Sequence, residues 1–153
     1  MRSNWSDRYI GIPFVEGGRD FTGCDCAGLV LLALREECGI HALDFTAYET
    51  LDFNCMDGYG KLGGLIEQAM SEWTVVEAPQ AFDLARFYHG RYPCHVGLWT
   101  GQGNAFLHVD KAGQFARLTP MTDLSWGKRF FEFRRHRDIN RPGNGQYAVK
   151  VEA

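Results

Sequence analysis

An apolar stretch near the N-terminus constrains the fold of this chain more than any other sequence feature. The segment CAGLVLLALREEC over residues 26–38 predicts a helix, with Asp25 in position to cap its start and Gly39 where a helix commonly ends. The first two turns are apolar nearly all round, which is typical of a helix that is buried inside a domain. Other parts of the chain must therefore cover this helix.

Short runs of β-forming residues after position 72 provide the covering layer. Turn-forming residues such as Pro79, Gly90 and Gly113 separate several of them, as in an antiparallel meander. A helix followed by strands predicts an α+β fold. The stretch 45–70 between them shows only weak helical patterning, around 46–53 and 61–70. The predicted strands are Trp73–Glu77, Asp83–His89, His95–Thr100, Ala105–Asp110, Gln114–Leu118 and Arg129–Arg135.

Length and charge set the domain count and exclude two classes of partner. The chain has 153 residues, a length typical of one domain. We assign residues 1–140 to that domain and 141–153, which open with the turn-forming sequence RPGNG, to a C-terminal extension. A net charge of −3 argues against a nucleic-acid partner. The longest apolar run, residues 28–34, is far shorter than the roughly 20 residues of a membrane span.

The cysteines and the N-terminus indicate a protein made in the cytoplasm. Five cysteines, with no second close pair beside Cys24 and Cys26, predict neither a disulfide framework nor a zinc site, and no other feature calls for a cofactor. The first residues lack the apolar segment of a signal peptide. We therefore expect the protein to stay in the producing cell unless it is packaged into a particle or released by lysis.

Cys26 stands where chemistry could occur, at the start of the predicted helix. A thiolate there is stabilised by the helix dipole and by unpaired backbone N–H groups, so we expect a lowered thiol pKa. Ala27 and Gly28 leave room for a substrate carbonyl. A cysteine in an apolar helix is more often a small core residue, so this feature alone does not identify a nucleophile.

A predicted hairpin places two histidines near each other. If Thr100 pairs with Ala105 across the loop 101–104, the numbers of directly opposite residues add up to 205. His95 and His108 are then diagonal neighbours on one face of the sheet. Gly97, which has no side chain, leaves space between the two rings. A thiol, an imidazole and a second polar group that orients the imidazole are what covalent acyl transfer needs.

The segment YIGIPFVEGGRDFTGCDCAGLV over residues 9–30 resembles the nucleophile segment of the NlpC/P60 cysteine peptidases. The resemblance continues in order through FDLARF at 82–87, HVGLW at 95–99, AFLH at 105–108 and WGKRFFEFRR at 126–135. It implies a papain-like α+β fold, with the nucleophile helix packed on an antiparallel β-sheet. It also implies Cys26 as nucleophile, His95 as general base and acid, and His108 as the orienting third member.

The implied substrates are bacterial peptidoglycan stem peptides, often cut between D-γ-glutamate and diaminopimelate or lysine. The small size resembles phage and gene-transfer-agent members of the family, which implies a virion or tail association and phage tail proteins as partners. Two alternatives stay open: a structural tail component on the same fold with little activity, and an amidase or acyltransferase of the wider superfamily.

The chain departs from the family pattern at three places. Phe14 stands where members commonly have a tyrosine, so a hydroxyl near the reacting carbonyl is missing. Ala27 replaces the serine that usually follows the cysteine, and Asp25 either helps bind a substrate amine or only caps the helix. The separation of Cys26 from His95 is longer than usual, and we expect the extra length to lie within residues 41–72.

Overall fold

The computed structural model describes residues 4–44 and 70–140. The predicted C-terminal extension 141–153 and most of the weakly patterned stretch 45–70 lie outside the described residues.

The predicted helix is present with the predicted ends. Helix α1 spans Cys26–Cys38, and the Asp25 side chain accepts a hydrogen bond from the Gly28 N–H at 2.7 Å. Gly39 closes the helix in a left-handed conformation, with φ of 67°. Residues on all sides of the first turns are buried, which confirms the prediction of a helix enclosed by the domain.

A six-stranded antiparallel sheet covers this helix, as the predicted α+β fold requires. Its spatial order is β3-β8-β4-β5-β6-β7, and a separate two-stranded hairpin, β1 and β2, precedes the helix. The strands are β1 Arg19–Asp20, β2 Gly23–Cys24, β3 Trp73–Val76, β4 Leu84–His89, β5 Tyr92–Trp99, β6 Ala105–His108, β7 Arg117–Pro120 and β8 Phe130–His136.

The prediction of a simple meander is wrong for the last strand. Strands β4 to β7 follow one another in space, but β8 inserts between β3 and β4. Two ion pairs join it to the β4 region: Arg135 to Asp83 at 2.7 Å and Glu132 to Arg86 at 2.9 Å. Because both Asp83 and Arg86 are fully buried, each charge requires a partner from the neighbouring strand.

The two faces of the sheet carry two separate clusters. Alternate residues of a strand point to opposite faces, so β5 contributes Val96 and Leu98 to one cluster and Trp99 to the other. The helix-side core contains α1, including Cys26. The aromatic cluster lies on the opposite face and consists of Ala85, Phe87, Trp99, Phe106 and Trp126, with Met121, Phe130 and Phe133 packed against it.

Candidate active site

A tight loop fixes the position of Cys26 at the first residue of α1. The preceding Asp25 is fully buried, and its carboxylate accepts hydrogen bonds from the backbone N–H groups of Gly28 and Gly17. Arg19 also pairs with this carboxylate, at 2.7 Å. Cys26 itself is 7% exposed, so its thiol is largely enclosed.

The helix cap and the loop leave no space at two glycines. A Cβ on Gly28 would lie 1.9 Å from the Gly18 carbonyl oxygen, and a Cβ on Gly18 would lie 2.3 Å from that of Gly23. Glycine at these positions allows the loop to pack directly on the start of α1. The glycine-rich segment before Cys26 therefore places the nucleophile candidate by close backbone packing.

The β5–β6 hairpin has the register that the sequence predicts. Leu98 pairs with Leu107 and Trp99 with Phe106, so opposite residues sum to 205. A Cβ on Gly97 would lie 3.1 Å from the His108 Cβ, which confirms that this position leaves space beside that side chain.

The Cys26 thiol meets the sheet at the backbone of Val96. The Thr100 N–H donates to β6 at 3.1 Å, and N–H groups at every second position of a strand point to the same side. The Val96 N–H therefore points toward β6, beyond the last β5–β6 pair, and it hydrogen-bonds the Cys26 thiol. Since Val96 follows His95, the thiol lies beside the strand position that carries the first histidine.

The two histidines form a hydrogen-bonded pair on the other face of the sheet. His95 Nε2 and His108 Nδ1 are 2.9 Å apart, and their rings are almost perpendicular, at 81°. His108 Nε2 lies 2.8 Å from the Thr119 hydroxyl. His95 therefore has its Nε2 engaged in this pair, and Nδ1 is its other ring nitrogen.

Sequence reasoning missed Thr119 and Trp126. The Trp126 ring lies 4.6 Å from the rings of both His95 and His108, measured between centroids, and the Arg129 guanidinium lies 4.7 Å from the Trp126 ring. Strand alternation opposite Phe106 could have found Thr119, since β7 pairs with β6 in register. Trp126 follows a turn capped by the Asp123 side chain, which no local pattern connects to the histidines.

Burial opposes charge on both the thiol and the imidazoles. Desolvation, with a smaller contribution from the Asp25 carboxylate, raises the pKa of Cys26 to about 12. Desolvation also lowers the pKa of His95 and that of His108 far below the ordinary value. The expectation of a lowered Cys26 pKa is therefore wrong for this site: removal of water outweighs the backbone hydrogen bonds from Val96 and Ala27 that favour the thiolate. The free site holds an uncharged thiol and an uncharged imidazole pair.

The other predicted residues lie around the nucleophile candidate. Phe14 is half-buried, and its segment bridges to Cys24 and to the loop at Gln114, whose carbonyl accepts the Phe14 N–H at 2.7 Å. Ala27 is buried in the helix-side core. Phe14 thus pairs with the residue two positions before Cys26, Ala27 follows Cys26 directly, and the Asp25 carboxylate is occupied by its three internal partners.

Within residues 4–44 and 70–140, no three His, Cys, Asp or Glu side chains are grouped so that they could hold a metal ion. No helix in this part of the chain combines the length and apolar character needed to span a membrane.

Comparison with known proteins decides the family. The model of the NlpC/P60 family matches residues 11–135. The chain belongs to the NlpC/P60 family. This membership confirms the family that the sequence motifs predict.

A curated relative is similar to most of this chain. The murein DD-endopeptidase MepS/murein LD-carboxypeptidase of Escherichia coli K12 is 27% identical over 138 residues, which cover 88% of this chain and 63% of the relative. This NlpC/P60 chain thus spans less than two thirds of the length of that relative.

Two solved structures show the fold. The NlpC/p60 domain of the peptidoglycan hydrolase SagA superposes with a TM-score of 0.53 at 18% identity, over 85% of this chain and 91% of that one. NlpC1 from Trichomonas vaginalis gives a TM-score of 0.61 at 15% identity, over 87% of this chain and 42% of that one. These likenesses confirm the predicted NlpC/P60 architecture.

Proposed function

We propose that this protein is a cysteine peptidase that hydrolyses peptidoglycan stem peptides through an acyl-enzyme on Cys26. The observation that carries the proposal is the hydrogen bond between His95 on β5 and His108 on β6, together with the Val96 N–H next to His95, which bonds the Cys26 thiol. Residues 1–140 form the catalytic domain in this proposal, and 141–153 form a C-terminal extension.

The chemistry follows from an uncharged thiol and an uncharged base. As the Cys26 sulfur attacks the scissile carbonyl carbon, its proton moves to His95 Nδ1, and the carbonyl π electrons move to oxygen. The tetrahedral intermediate collapses, the C–N bond breaks, and the leaving amine takes the proton from His95. Water then attacks the thioester while His95 removes its proton. The C–S bond breaks, the sulfur takes that proton back from His95, and the carboxylic acid and the free thiol are released.

Backbone N–H groups at the start of α1 hold the negative charge on the oxygen during these steps. Phe14 offers no hydroxyl for that purpose, so the Cys26 N–H is the donor that the proposal assigns. Phe14 is the half-buried residue that we place beside the substrate, and the buried Ala27 keeps the start of α1 small. The buried Asp25, with its three internal partners, supports the site mainly as a cap, and a direct contact with a substrate amine is the lesser of its two roles.

The substrate assignment is supported by family membership and by the names of the relatives, which refer to murein and peptidoglycan. Within that class we propose that the protein cleaves the bond between D-γ-glutamate and diaminopimelate or lysine. We further propose that the protein acts with phage-type tail proteins during cell entry. Proteomics of purified particles tests this setting, since consistent absence from particles contradicts it.

Digestion of purified peptidoglycan, followed by mass spectrometry of the released fragments, tests the activity and the bond together. We expect new amino groups on diaminopimelate or lysine with the wild-type protein, and none with Cys26→Ser. Cleavage of the D,D cross-link instead would support a peptidase but would contradict the proposed scissile bond. Transfer of the acyl group to an added amine in preference to water would favour an acyltransferase, and no product at all would favour a structural tail component.

A further inference from the structure

We propose that Thr119 is a positioning residue that sets the proton arrangement of the histidine pair, so that His95 Nδ1 is free to accept the thiol proton. This inference rests on the proposed function for its catalytic consequence. Its structural part, the location of the two imidazole protons, stands independently of any substrate.

Thr119 terminates a chain of two hydrogen bonds that crosses three strands. His95 on β5 contacts His108 on β6 at 2.9 Å, and His108 contacts the Thr119 hydroxyl on β7 at 2.8 Å. Thr119 is 6% exposed and His108 is fully buried. Because these hydrogen bonds are shielded from water, each polar group in them must find its partner within the protein.

Counting protons leaves two arrangements. An uncharged imidazole carries one N–H, and a hydroxyl can either donate or accept. In the first arrangement, His95 Nε2–H donates to His108 Nδ1, and His108 Nε2–H donates to the Thr119 oxygen. In the second, the Thr119 hydroxyl donates to His108 Nε2, His108 Nδ1–H donates to His95 Nε2, and the His95 proton is on Nδ1.

Only the first arrangement lets His95 act as a base toward Cys26. Its Nδ1 then carries a lone pair, whereas the second arrangement places a proton there. The first also puts both imidazoles in the Nε2–H form, which free histidine favours. Thr119 supports the first arrangement by accepting the His108 proton. The same hydroxyl could donate in the second arrangement, so the Nε2–H preference decides between the two while the hydroxyl is present. Without the hydroxyl, the first arrangement is weakened, because the buried His108 N–H has no acceptor.

The uncharged state on which this count depends has a clear cause. Burial disfavours the imidazolium at both histidines. Around His95, the Asp110 carboxylate favours protonation and the nearby cations oppose it. The cations that oppose it are Arg117, Arg129 and His89 when charged. Arg117 and a charged His95 likewise oppose protonation of His108.

Thr119→Val and Thr119→Ser form a matched pair for the test. Valine keeps the β-branched shape and removes the hydroxyl, whereas serine keeps the hydroxyl. With peptidoglycan fragments as substrate, we expect kcat of Thr119→Val to fall about tenfold, with KM within about twofold, since one buried hydrogen bond to His108, which orients the base, is lost. Thr119→Ser should retain most of the wild-type kcat.

Nitrogen-15 NMR of histidine-labelled protein reads the tautomers without any turnover. We expect both His95 and His108 as Nε2–H in the wild type and in Thr119→Ser, and a mixture at His108 in Thr119→Val. A wild-type His108 with its proton on Nδ1 would overturn the inference, as would unchanged tautomers together with unchanged kcat in Thr119→Val. A wild-type protein that has the expected tautomers but cuts no peptidoglycan would refute the proposed function and leave the proton assignment intact.

Discussion

The two halves of the candidate site are built in different ways. Cys26 is held from one side by a local loop, in which Asp25 joins Gly17, Arg19 and Gly28 within a dozen residues of sequence. The histidine pair is held by long-range contacts: three adjacent strands supply its hydrogen bonds, and Trp126, from the turn before β8, covers its rings. The nucleophile therefore depends on loop geometry, and the base depends on the register of the sheet.

Burial has opposite effects on pKa in the two halves, and the effects complement each other. It raises the pKa of the Cys26 thiol and lowers those of the imidazoles, so both halves are uncharged near neutral pH. Proton transfer must then accompany the attack on substrate rather than precede it. Because the two halves are built differently, substitutions and pH changes should affect one half without the other.

The largest expected effect is the loss of hydrolysis when either reacting group is removed. Cys26→Ser and His95→Gln should each lower kcat/KM by at least about a thousandfold, because the nucleophile and its base act as one unit. His108→Gln should lower it only about 10- to 100-fold, since this residue orients the base without transferring the substrate proton. Peptidoglycan digestion with purified variants gives the comparison, and equal losses for His95→Gln and His108→Gln would contradict the assigned roles.

Circular dichroism and urea unfolding provide the control for these variants. Cys26→Ser should keep the wild-type spectrum and a cooperative transition. A variant that is both unfolded and inactive gives no information on roles, so activity is compared among folded variants.

The second effect separates the halves by pH. The folded-state pKa values of His95 and His108 lie below the ordinary value of about 6.5, so the unfolded chain takes up protons first as the pH falls. Their contribution to stability is thus complete above pH 6.5 and decreases toward acid. Between pH 7.5 and pH 5 we expect a loss of about 2 kcal/mol for each histidine.

Urea unfolding at the two pH values checks this loss. The double variant His95→Gln/His108→Gln should show a pH dependence smaller than wild type by about 4 kcal/mol over this range. Cys26→Ser should show the wild-type pH dependence, because the thiol stays protonated throughout. An unchanged pH dependence in the double variant would mean that the histidines are not held uncharged.

The sequence predicts the local half of the site better than the long-range half. The cap at Asp25, the start of α1 at Cys26 and the 205 register between β5 and β6 all follow from residues close in sequence. The position of β8 does not, because buried ion pairs with Asp83 and Arg86 decide it. Of the neighbours of the histidines, Thr119 lies one residue beyond the predicted strand Gln114–Leu118, and Trp126 comes from the turn before β8, which no local pattern connects to the histidines.

The sign of the Cys26 pKa shift could not be predicted either. A helix N-terminus lowers a thiol pKa, and the sequence shows the helix. How much water reaches the thiol depends on the covering sheet and loop, which the sequence does not display. At 7% exposure, desolvation is the larger effect.

The third effect is structural and affects the nucleophile half. Asp25→Ala removes the helix cap and leaves Arg19 with only Asp44 among its described acidic partners, so we expect a loss of about 2–3 kcal/mol in unfolding free energy. Asp25→Asn keeps an oxygen for capping and should lose less. Asp20→Ala is the matched control, since this exposed carboxylate caps the Thr22 turn and its loss should destabilise the protein much less. An Asp25→Ala variant as stable as the control would show that the cap does not hold the loop.

The smallest expected effect is an absence of selectivity in thiol labelling. All four cysteines in the described residues are buried, and burial raises the pKa of Cys24, Cys26 and Cys38 to about 12 and that of Cys94 to about 11. With limiting iodoacetamide at pH 6, each should react more slowly than an unstructured cysteine peptide, because the thiolate is the reacting form. Cys26 should be labelled no more than about threefold ahead of the other three.

Peptide mapping after quenching gives the order of labelling directly, and His95→Gln is the deciding variant. If Cys26 were alkylated far ahead of Cys24, Cys38 and Cys94, and if His95→Gln removed that preference, the free site would contain a thiolate–imidazolium pair. Burial would then be the weaker effect, and the helix dipole with a charged His95 the stronger one. Uniform slow labelling in both proteins supports an uncharged site, in which substrate must arrive before the proton leaves Cys26.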